Sequence, residues 1–365
     1  MAFYEETLLG EAAPAIFQTS LFGFDSVEAF ERAVKEGAPY YTRGKNPTVA
    51  VFEKAVAELE GAEAALAFSS GMGAIAAALF AFLKPGDRVV ANRPVYAGAH
   101  NLLTGILARF GVETTFVETR DTEGFLRAIP GARLLYLESP ASYTFEVLDL
   151  EPIAEAAHAE GALVFIDATY TAGVLAKPLS RGADLVLHSA SKFFSGHSDV
   201  VAGVAAGRAE LVRALKEPYM LLGAKLAPFE AWLLLRGLRT LELRLARHRE
   251  TAARAAAFLK AHPAVRRVYW AEDDPLTEKY LKHGASLVSI ELADESAARA
   301  FANGLQYFKV GVSWGGHESL VLPLFAQPRV ARAYGFPKGL VRIHFGLEPT
   351  ERLLEDLEQA LAPLS

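Results

Sequence analysis

The chain has 365 residues, of which 52% are hydrophobic and 22% charged, so it can bury a large core in more than one domain. Its formal net charge of -6 gives no sign of the positively charged surface that binds nucleic acid, and we expect no nucleic-acid partner. Cysteine is absent, which excludes disulfides, cysteine-based zinc sites and a thiol nucleophile, and favours a cytoplasmic location.

The first part of the chain, residues 1–45, has weak hydrophobic periodicity and is interrupted by Pro14 and Gly23. We expect this segment to cross the surface or to reach a neighbouring subunit. The start, Met1–Glu6, has neither a basic nor an apolar leader region, and the longest apolar run, 74–83, is too short to cross a bilayer. We therefore expect neither a secretion signal nor a membrane contact.

Strand and helix patterns follow. Asn46 or Thr48 can cap a helix that continues from Val49 to Leu59. From residue 64, apolar runs without strict polar alternation are separated by helical or turn segments, which predicts an α/β fold whose mostly parallel sheet is covered by helices on both faces. The predicted strands are Ala64–Phe68, Arg88–Ala91, Thr114–Val117, Leu134–Glu138, Leu163–Asp167, Asp184–His188 and Val200–Ala206.

The pattern changes after residue 210. Helix dominates from Leu211 to Lys260, and Pro228–Arg236 looks like the start of a long connecting helix. The later predicted strands are Leu287–Leu292, Tyr307–Trp314 and Leu340–Phe345, and the later helices are Asp294–Asn303 and Thr350–Leu361. We therefore predict a main domain at 46–236 and a smaller C-terminal α+β domain at 237–365.

Two predicted strands lead into reactive side chains. Asp167 ends one of them, and Lys192 follows the next, in the segment Ser189–Lys192. Ligands bind at the carboxyl ends of parallel strands, so this acid and this amine could face one small molecule. A buried lysine near an acid indicates imine chemistry, but a structural ion pair is an equal alternative from these residues alone.

A turn between a predicted strand and a predicted helix offers an anion site. Ser70, Gly71 and Met72 provide a hydroxyl and free backbone N–H groups at a helix N-terminus. Residues 71–76 also match the Gly-x-Gly-x-x-Ala motif of dinucleotide-binding proteins. The next strand, however, ends at Arg93 without the acid that would bind the ribose of a dinucleotide. A nicotinamide cofactor and a purely structural turn remain the alternatives.

Two other chemistries are excluded. Ser189–Lys192 spells the Ser-x-x-Lys signature of penicillin-recognising proteins, but their Ser-Asp-Asn element is broken at Val200 and their Lys-Thr-Gly element is absent. His188 and His197 lack metal-ligand spacing, so we expect no metal site.

The remaining groups fit pyridoxal 5′-phosphate. Its aldehyde requires a lysine, its pyridine nitrogen an acid and its phosphate several donors. The candidates, in that order, are Lys192, Asp167, and the Ser70 turn with Ser189 and Ser191. Tyr96, after the next strand, could stack on the ring.

Short blocks along the chain resemble the Cys/Met-metabolism family of pyridoxal-phosphate-dependent enzymes, from about Tyr40 to the C-terminus. The blocks are Tyr41–Thr48, Leu59–Glu63, Phe68–Met72, Gly86–Val90, Tyr136–Pro140, His188–Lys192, Ser195–Asp199, Leu234–Leu241, Ser313–Leu320 and Gly346–Glu348. The resemblance implies the type I pyridoxal-phosphate fold and a homotetramer built from active-site dimers.

The resemblance also implies residue roles. Lys192 would hold the cofactor and move protons, Asp167 would keep the pyridine nitrogen charged, and Tyr96 would stack on the ring. The other implied cofactor contacts are Ser70, Gly71, Met72, Thr169, Ser189, Ser191 and, from the neighbouring subunit, Tyr41 and Arg43. The implied contacts to an amino-acid substrate are Arg342, which would grip its α-carboxylate, with Ser313, Ser142 and Trp314.

Ser142, where the family commonly has Asn, and Trp314 resemble bacterial cystathionine β-lyase. The implied reaction is β-elimination of cystathionine to homocysteine, pyruvate and ammonia, with Lys192, Tyr96 or Tyr41 protonating the leaving thiolate. The turn at 69–72 instead resembles the γ-synthase and γ-lyase form. Cystathionine γ-synthase and cystathionine or methionine γ-lyase therefore remain alternatives, as does a non-catalytic cofactor-binding homologue.

Overall fold

The computed structural model describes residues 12–364, which form two sheets flanked by helices. Residues 1–11 of the predicted N-terminal segment lie outside the described residues, as does Ser365. The strands are β1 (Ala64–Phe68), β2 (Arg88–Arg93), β3 (Glu113–Glu118), β4 (Leu134–Glu138), β5 (Leu163–Asp167), β6 (Leu185–His188), β7 (Gly203–Gly207), β8 (Arg267–Tyr269), β9 (Leu287–Glu291), β10 (Lys309–Val310), β11 (Leu320–Pro323) and β12 (Leu340–His344).

The helices lie between these strands and at both ends of the described range. They are α1 (Val27–Glu36), α2 (Pro47–Glu60), α3 (Gly71–Phe82), α4 (Ala97–Asn101), α5 (Thr122–Ala128), α6 (Leu150–Ala159), α7 (Ala209–Ala214), α8 (Lys216–Leu222), α9 (Pro228–Leu238), α10 (Leu241–Ala261), α11 (Thr277–Tyr280), α12 (Glu295–Gly304), α13 (Pro328–Tyr334) and α14 (Thr350–Leu361). Within 12–364, no helix combines the length and apolar character needed to cross a bilayer.

The first sheet has the strand order β1-β7-β6-β5-β4-β2-β3, and β7 runs antiparallel to both of its neighbours while the others run parallel. On β5, Val164 and Ile166 pack into the core on one face, whereas Phe165 packs into the core on the other. Burial on both faces explains why the central strands β4, β5 and β6 are almost entirely apolar. The predicted α/β fold with a mostly parallel sheet is confirmed.

Helix α2 begins as the sequence predicts. The Asn46 side chain accepts a hydrogen bond from the backbone N–H of Thr48, and Pro47 occupies the first helical position, where its missing N–H costs nothing. The helix ends at Glu60 and is capped by Gly61, whose φ of 68° is the left-handed conformation that glycine adopts without strain.

The second sheet, with the order β10-β11-β12-β9-β8, corrects part of the prediction. A strand over Tyr307–Trp314 is wrong: only Lys309–Val310 pairs with a neighbour, and the chain then turns towards Gly315, whose φ is 85°. Strands β8 and β11 were not predicted. Both are short, and their state is set by pairing rather than by their own pattern.

The predicted long connecting helix is divided into α9 and α10. Gly237, near the end of α9, lies so close to the chain after β6 that a Cβ would approach the Phe194 carbonyl oxygen to 2.2 Å. The domain boundary predicted after residue 236 falls inside α9 and stays a prediction.

The N-terminal segment contains a helix, α1, that the sequence analysis did not predict, although Val27, Phe30 and Val34 recur at helical spacing. Other parts of the segment bind their own chain. The Phe17 N–H donates to Thr48 Oγ1 at 2.9 Å, and the Trp232 indole donates to the Pro14 carbonyl at 3.1 Å.

Replacing Gly203 on β7 should destabilise the fold. A Cβ there would lie 2.2 Å from the Ser70 carbonyl oxygen and 2.8 Å from Gly71 Cα. We expect Gly203→Ala to lower the free energy of unfolding of the cofactor-free protein by about 1–3 kcal/mol in urea titrations. Gly105→Ala, with no neighbouring atom within 4 Å of the added methyl, is the matched control and should not destabilise. Equal stability of the two variants would contradict this packing argument.

Candidate active site

A cavity of about 810 Å³ lies where the carboxyl ends of β4, β5 and β6 meet the second sheet. It brings together every predicted site residue except Tyr41 and Arg43. Those that line it are Ser70, Gly71, Met72, Tyr96, Ser142, Asp167, Thr169, Ser189, Ser191, Lys192, Ser313, Trp314 and Arg342. Residues from separate predicted strands thus share one space, as expected for the carboxyl edge of a parallel sheet.

Lys192 reaches this cavity from the turn after β6. Its Nζ donates to Ser313 Oγ at 3.1 Å and lies 5.9 Å from the centroid of the Trp314 ring. Burial, reinforced by the guanidinium of Arg342, lowers the pKa of Lys192 to about 8. The amine is therefore partly neutral near physiological pH, as nucleophilic and basic roles both require.

Asp167 ends β5 and is 7% exposed. Its Oδ1 accepts hydrogen bonds from the backbone N–H of Thr169 at 3.0 Å and from the Thr169 hydroxyl at 2.5 Å. Burial raises the pKa of Asp167, whereas these hydrogen bonds and the nearby His188 and Lys192 oppose that rise. Asp167 thus bonds to Thr169 and Lys192 to Ser313 rather than to each other, so a structural ion pair between them is excluded.

The predicted anion site lies where β1 leads into α3. The N–H groups of Gly71 and Met72, in the first turn, have no acceptor within the helix and lie at the cavity. A Cβ on Gly71 would lie 2.9 Å from Ser189 Cβ, so only glycine allows this turn to approach Ser189 so closely. Backbone donors and the Ser189 hydroxyl therefore converge on one end of the cavity.

Two of the predicted phosphate-binding serines use their hydroxyls locally. Ser70 Oγ accepts from the Gly73 N–H at 2.9 Å and caps α3. Ser191 Oγ accepts from the Ala202 N–H at 2.9 Å and donates to the Ala202 carbonyl at 3.2 Å. Both residues line the cavity, and their direct contact with a phosphate stays a prediction.

Arg342 on β12 brings a buried guanidinium to the opposite side of the cavity. It is 8% exposed, and its Nη2 donates to the carbonyls of Val312 at 2.8 Å and Ser313 at 3.2 Å. Its Cζ lies 5.7 Å from the centroid of the Tyr143 ring. Burial lowers the pKa of Arg342, but a guanidinium remains charged in proteins. A buried cation bonded only to carbonyls suits a carboxylate ligand.

Glu138 and Tyr143 line the same cavity, but the sequence analysis assigned them no role. A Glu138 carboxylate oxygen accepts the backbone N–H of Tyr96 at 2.5 Å, and burial together with Asp167 raises the pKa of Glu138 to about 8. Burial and these same two acids also raise the pKa of the Tyr96 hydroxyl. The sequence could have predicted Glu138 as a site residue, because it is an acid at the end of a predicted strand, as Asp167 is.

Tyr41 and Arg43 lie outside the cavity of their own chain. Arg43 Nη1 donates to the Met220 carbonyl at 2.8 Å, and its Cζ lies 5.6 Å from the centroid of the Tyr41 ring. Both side chains are exposed. Their predicted role in the site of a neighbouring subunit stays a prediction.

Together, the cavity provides a partly neutral lysine, a buried acid and a helix N-terminus that a Cβ would obstruct. These are the groups that pyridoxal 5′-phosphate needs for its aldehyde, its ring nitrogen and its phosphate. The fold and this site define a pyridoxal-phosphate-dependent enzyme.

Comparison with known proteins identifies the family. The family model for Cys/Met metabolism PLP-dependent enzymes matches residues 4–362. The L-methionine gamma-lyase of Fusobacterium nucleatum is 38% identical over 376 residues, which cover 98% of this chain and 95% of the relative. The cystathionine beta-lyase MetC of Bacillus subtilis is 38% identical over 372 residues, which cover 98% and 94%.

A crystal structure of cystathionine gamma synthase from Xanthomonas oryzae pv. oryzae, in complex with aminoacrylate and cysteine, superposes with a TM-score of 0.92. It is 36% identical in sequence, and the match covers 98% of this chain and 94% of that chain. The chain therefore belongs to the Cys/Met-metabolism family of pyridoxal-phosphate-dependent enzymes, as its sequence blocks predict. It is a carbon–sulfur lyase or synthase, so the nicotinamide and non-catalytic alternatives are set aside.

Replacing Lys192 should abolish covalent attachment of the cofactor. We expect the loaded wild-type protein to absorb visible light, to be bleached by borohydride and then to carry the cofactor on the peptide that contains Lys192. Lys192→Ala should show none of these signals, whereas Lys84→Ala, which removes an exposed lysine, should behave as wild type. A borohydride adduct on another lysine, detected by peptide mass spectrometry, would contradict the assignment.

Proposed function

We propose that the protein catalyses β-elimination of cystathionine, in which cystathionine and water give homocysteine, pyruvate and ammonia. The observation that carries this proposal is that Lys192, an amine with its pKa lowered to about 8, lies in one cavity with Asp167 and Arg342. Such a cavity can hold an amino acid by its carboxylate and accept a proton from its Cα.

When bound, pyridoxal phosphate supplies an electron sink for the negative charge that develops at Cα. Lys192 Nζ is the proposed base that takes the Cα proton. At pH 7, an amine of pKa about 8 is neutral in about one molecule in ten, against roughly one in three thousand at the ordinary value of 10.5. The lowered pKa therefore makes Lys192 usable as a base at neutral pH.

The proposed cofactor contacts follow from what each group donates or accepts. Asp167, oriented by Thr169, would keep the ring nitrogen positively charged, and Tyr96 would stack on the ring. The proposed phosphate contacts are Ser70, Gly71, Met72, Ser189 and Ser191.

Arg342 is the proposed clamp for the substrate α-carboxylate, because a planar guanidinium can donate two parallel hydrogen bonds to it. Ser313, which bonds to Lys192 through its hydroxyl and to Arg342 through its carbonyl, would link substrate binding to the base. Ser142 and Trp314 are the proposed remaining substrate contacts.

The leaving thiolate needs a proton once the Cβ–S bond breaks. Lys192, having taken the Cα proton, is one proposed donor. Tyr96 is another, because its raised pKa keeps the phenol protonated at neutral pH. Tyr41 of a neighbouring subunit is the third.

We also propose a homotetramer in which Tyr41 and Arg43 complete the site of a neighbouring subunit. The N-terminal segment exposes apolar side chains that a partner would cover, among them Leu21 at 58% and Val27 at 68%. The proposed location is the cytoplasm, which the absence of cysteine favours.

A γ-specific reaction is the second candidate. It is favoured by the 38% identity to the methionine gamma-lyase of Fusobacterium nucleatum, equal to that to the Bacillus subtilis cystathionine beta-lyase. Elimination or replacement at Cγ would use the same residues with an additional proton abstraction at Cβ.

Substitution of Arg342 should weaken the binding of the substrate carboxylate. We expect Arg342→Lys to raise the KM for cystathionine by about 10- to 100-fold, because lysine cannot make the paired hydrogen bonds worth about 1.5–3 kcal/mol. Arg352→Lys, on an exposed position of α14, is the control and should leave KM unchanged. An unchanged KM in Arg342→Lys would contradict the proposed carboxylate clamp.

The products of cystathionine cleavage decide between the two candidates. With the loaded wild-type enzyme we expect homocysteine and pyruvate, measured by thiol chromatography and a lactate dehydrogenase assay. Cysteine and 2-oxobutyrate would instead establish γ-cleavage, and Lys192→Ala should form neither pair. Absence of any product from cystathionine would overturn the proposed substrate.

A further inference from the structure

Glu138 and Asp167 stand side by side at the carboxyl ends of neighbouring strands. They are register partners in the pairing of β4 with β5, and both line the cavity. Glu138 is 8% exposed and Asp167 is 7% exposed. Two carboxyl groups that are neighbours and buried from solvent cannot both be ionised without a large electrostatic penalty.

The Glu138 side chain is held by hydrogen bonds with Tyr96 and Ser142. Its Oε2 accepts the backbone N–H of Tyr96 at 2.5 Å, and its Oε1 shares a hydrogen bond of 2.5 Å with Ser142 Oγ. In that bond an ionised Glu138 accepts from the Ser142 hydroxyl, whereas a protonated Glu138 can donate to it. The backbone of Glu138 is itself held by buried Asn92, which accepts its N–H at 2.8 Å and donates to its carbonyl at 3.1 Å. The carboxyl group is thereby kept between Tyr96 and Ser142.

The surroundings place the proton of this pair on Glu138. Burial and the neighbouring Asp167 raise the pKa of Glu138 to about 8, and the hydrogen bonds from Ser142 and Tyr96 offset that rise only in part. The rise in the pKa of Asp167 is opposed by the Thr169 hydrogen bonds and by His188 and Lys192. The other titratable groups around Glu138 are Tyr96, Tyr136, Tyr143 and Tyr334, with Lys192 and Arg342 across the cavity. The four phenols remain neutral at pH 7, because burial raises the pKa of each.

We propose that Glu138 is a positioning residue that works as an un-ionised acid and sets the direction of the hydrogen bond with Ser142. The acid O–H donates to Ser142 Oγ, so the Ser142 proton is free to donate to an acceptor oxygen of the ligand in the cavity. If Glu138 were ionised, it would accept the hydrogen bond from the Ser142 hydroxyl, and Ser142 would present only its lone pairs to the ligand. The inference rests on the proposed cofactor site.

The test uses pyridoxine 5′-phosphate, which lacks the aldehyde and so cannot react with Lys192. Its dissociation constant is measured by calorimetry on the cofactor-free protein between pH 6.5 and 9.5. Glutamine mimics the neutral acid at every pH, because its amide can always donate to Ser142 Oγ. Glu146→Gln is the matched control, since Glu146 is a partly buried acid in the loop that follows β4 and is paired with Arg120 outside the cavity.

Above pH 8, we expect wild type and Glu146→Gln to bind pyridoxine 5′-phosphate about tenfold more weakly than Glu138→Gln does. A tenfold difference is what the loss of one hydrogen bond to a ligand would cause. Ser142→Ala should bind several-fold more weakly at pH 7, and adding Glu138→Gln to it should change nothing further. The same pH dependence in Glu138→Gln as in wild type, or unchanged binding by Ser142→Ala, would overturn the inference while the cofactor site stands. Failure of wild type to bind the probe at any pH would overturn the cofactor site as well.

Thermal unfolding of the cofactor-free protein gives a second measurement. A raised pKa means that the folded state holds a proton that the unfolded state releases, so Glu138 costs stability as pH rises from about 4.5 to about 8. The melting temperature of wild type should therefore fall further than that of Glu138→Gln between pH 6 and 9. Parallel curves for the two proteins would contradict a neutral Glu138.

Discussion

Keeping a buried lysine apart from a buried acid is the physical constraint on which the active site depends. Direct pairing of Lys192 with Asp167 would satisfy both groups and close the space between them. Each instead has its own partner, Ser313 for the lysine and Thr169 for the acid. The lysine therefore stays desolvated without a carboxylate against it, which is why its pKa falls to about 8.

This separation needs both sheets. Thr169 and Asp167 come from the end of β5, whereas Ser313 lies between β10 and β11, and Arg342 lies on β12. Arg342 also helps to lower the pKa of Lys192. The packing of the second sheet against the carboxyl edge of the first is thus part of the chemistry, because it supplies the hydrogen-bond acceptor of Lys192 and the positive charge that lowers its pKa.

The anion site depends on equally close packing. Strand β7 runs antiparallel between β1 and β6, and its Gly203 lies against the Ser70 carbonyl and Gly71, at the start of α3. Gly71 lies against Ser189, which a Cβ would approach to 2.9 Å. Rigid strands thus hold two sets of donors, the helix N-terminus and the turn after β6, on the same side of the cavity.

Three strands, Ala64–Phe68, Leu134–Glu138 and Leu163–Asp167, were predicted to the residue, because their apolar runs are uninterrupted. The other four strands of the first sheet were predicted with ends that differ by one to three residues. The prediction failed at Tyr307–Trp314, where the chain leaves the sheet after two paired residues, and it missed α1, whose apolar stripe is mostly exposed. Short or solvent-facing segments take their state from their neighbours, so their own pattern is a weak guide.

The sequence by itself determined the family, the alternation of strand and helix, and the residues with which to build the site, since chain order and side-chain chemistry are local properties. Only the tertiary structure decided how those residues act. It showed that the Ser70 hydroxyl accepts a backbone hydrogen bond and that the Ser191 hydroxyl both accepts and donates one. It also showed that Glu138 lies beside Asp167 and that Lys192 is partly neutral. Hydrogen-bond partners and pKa values depend on burial and on neighbouring charges, and those exist only once distant strands have been brought together.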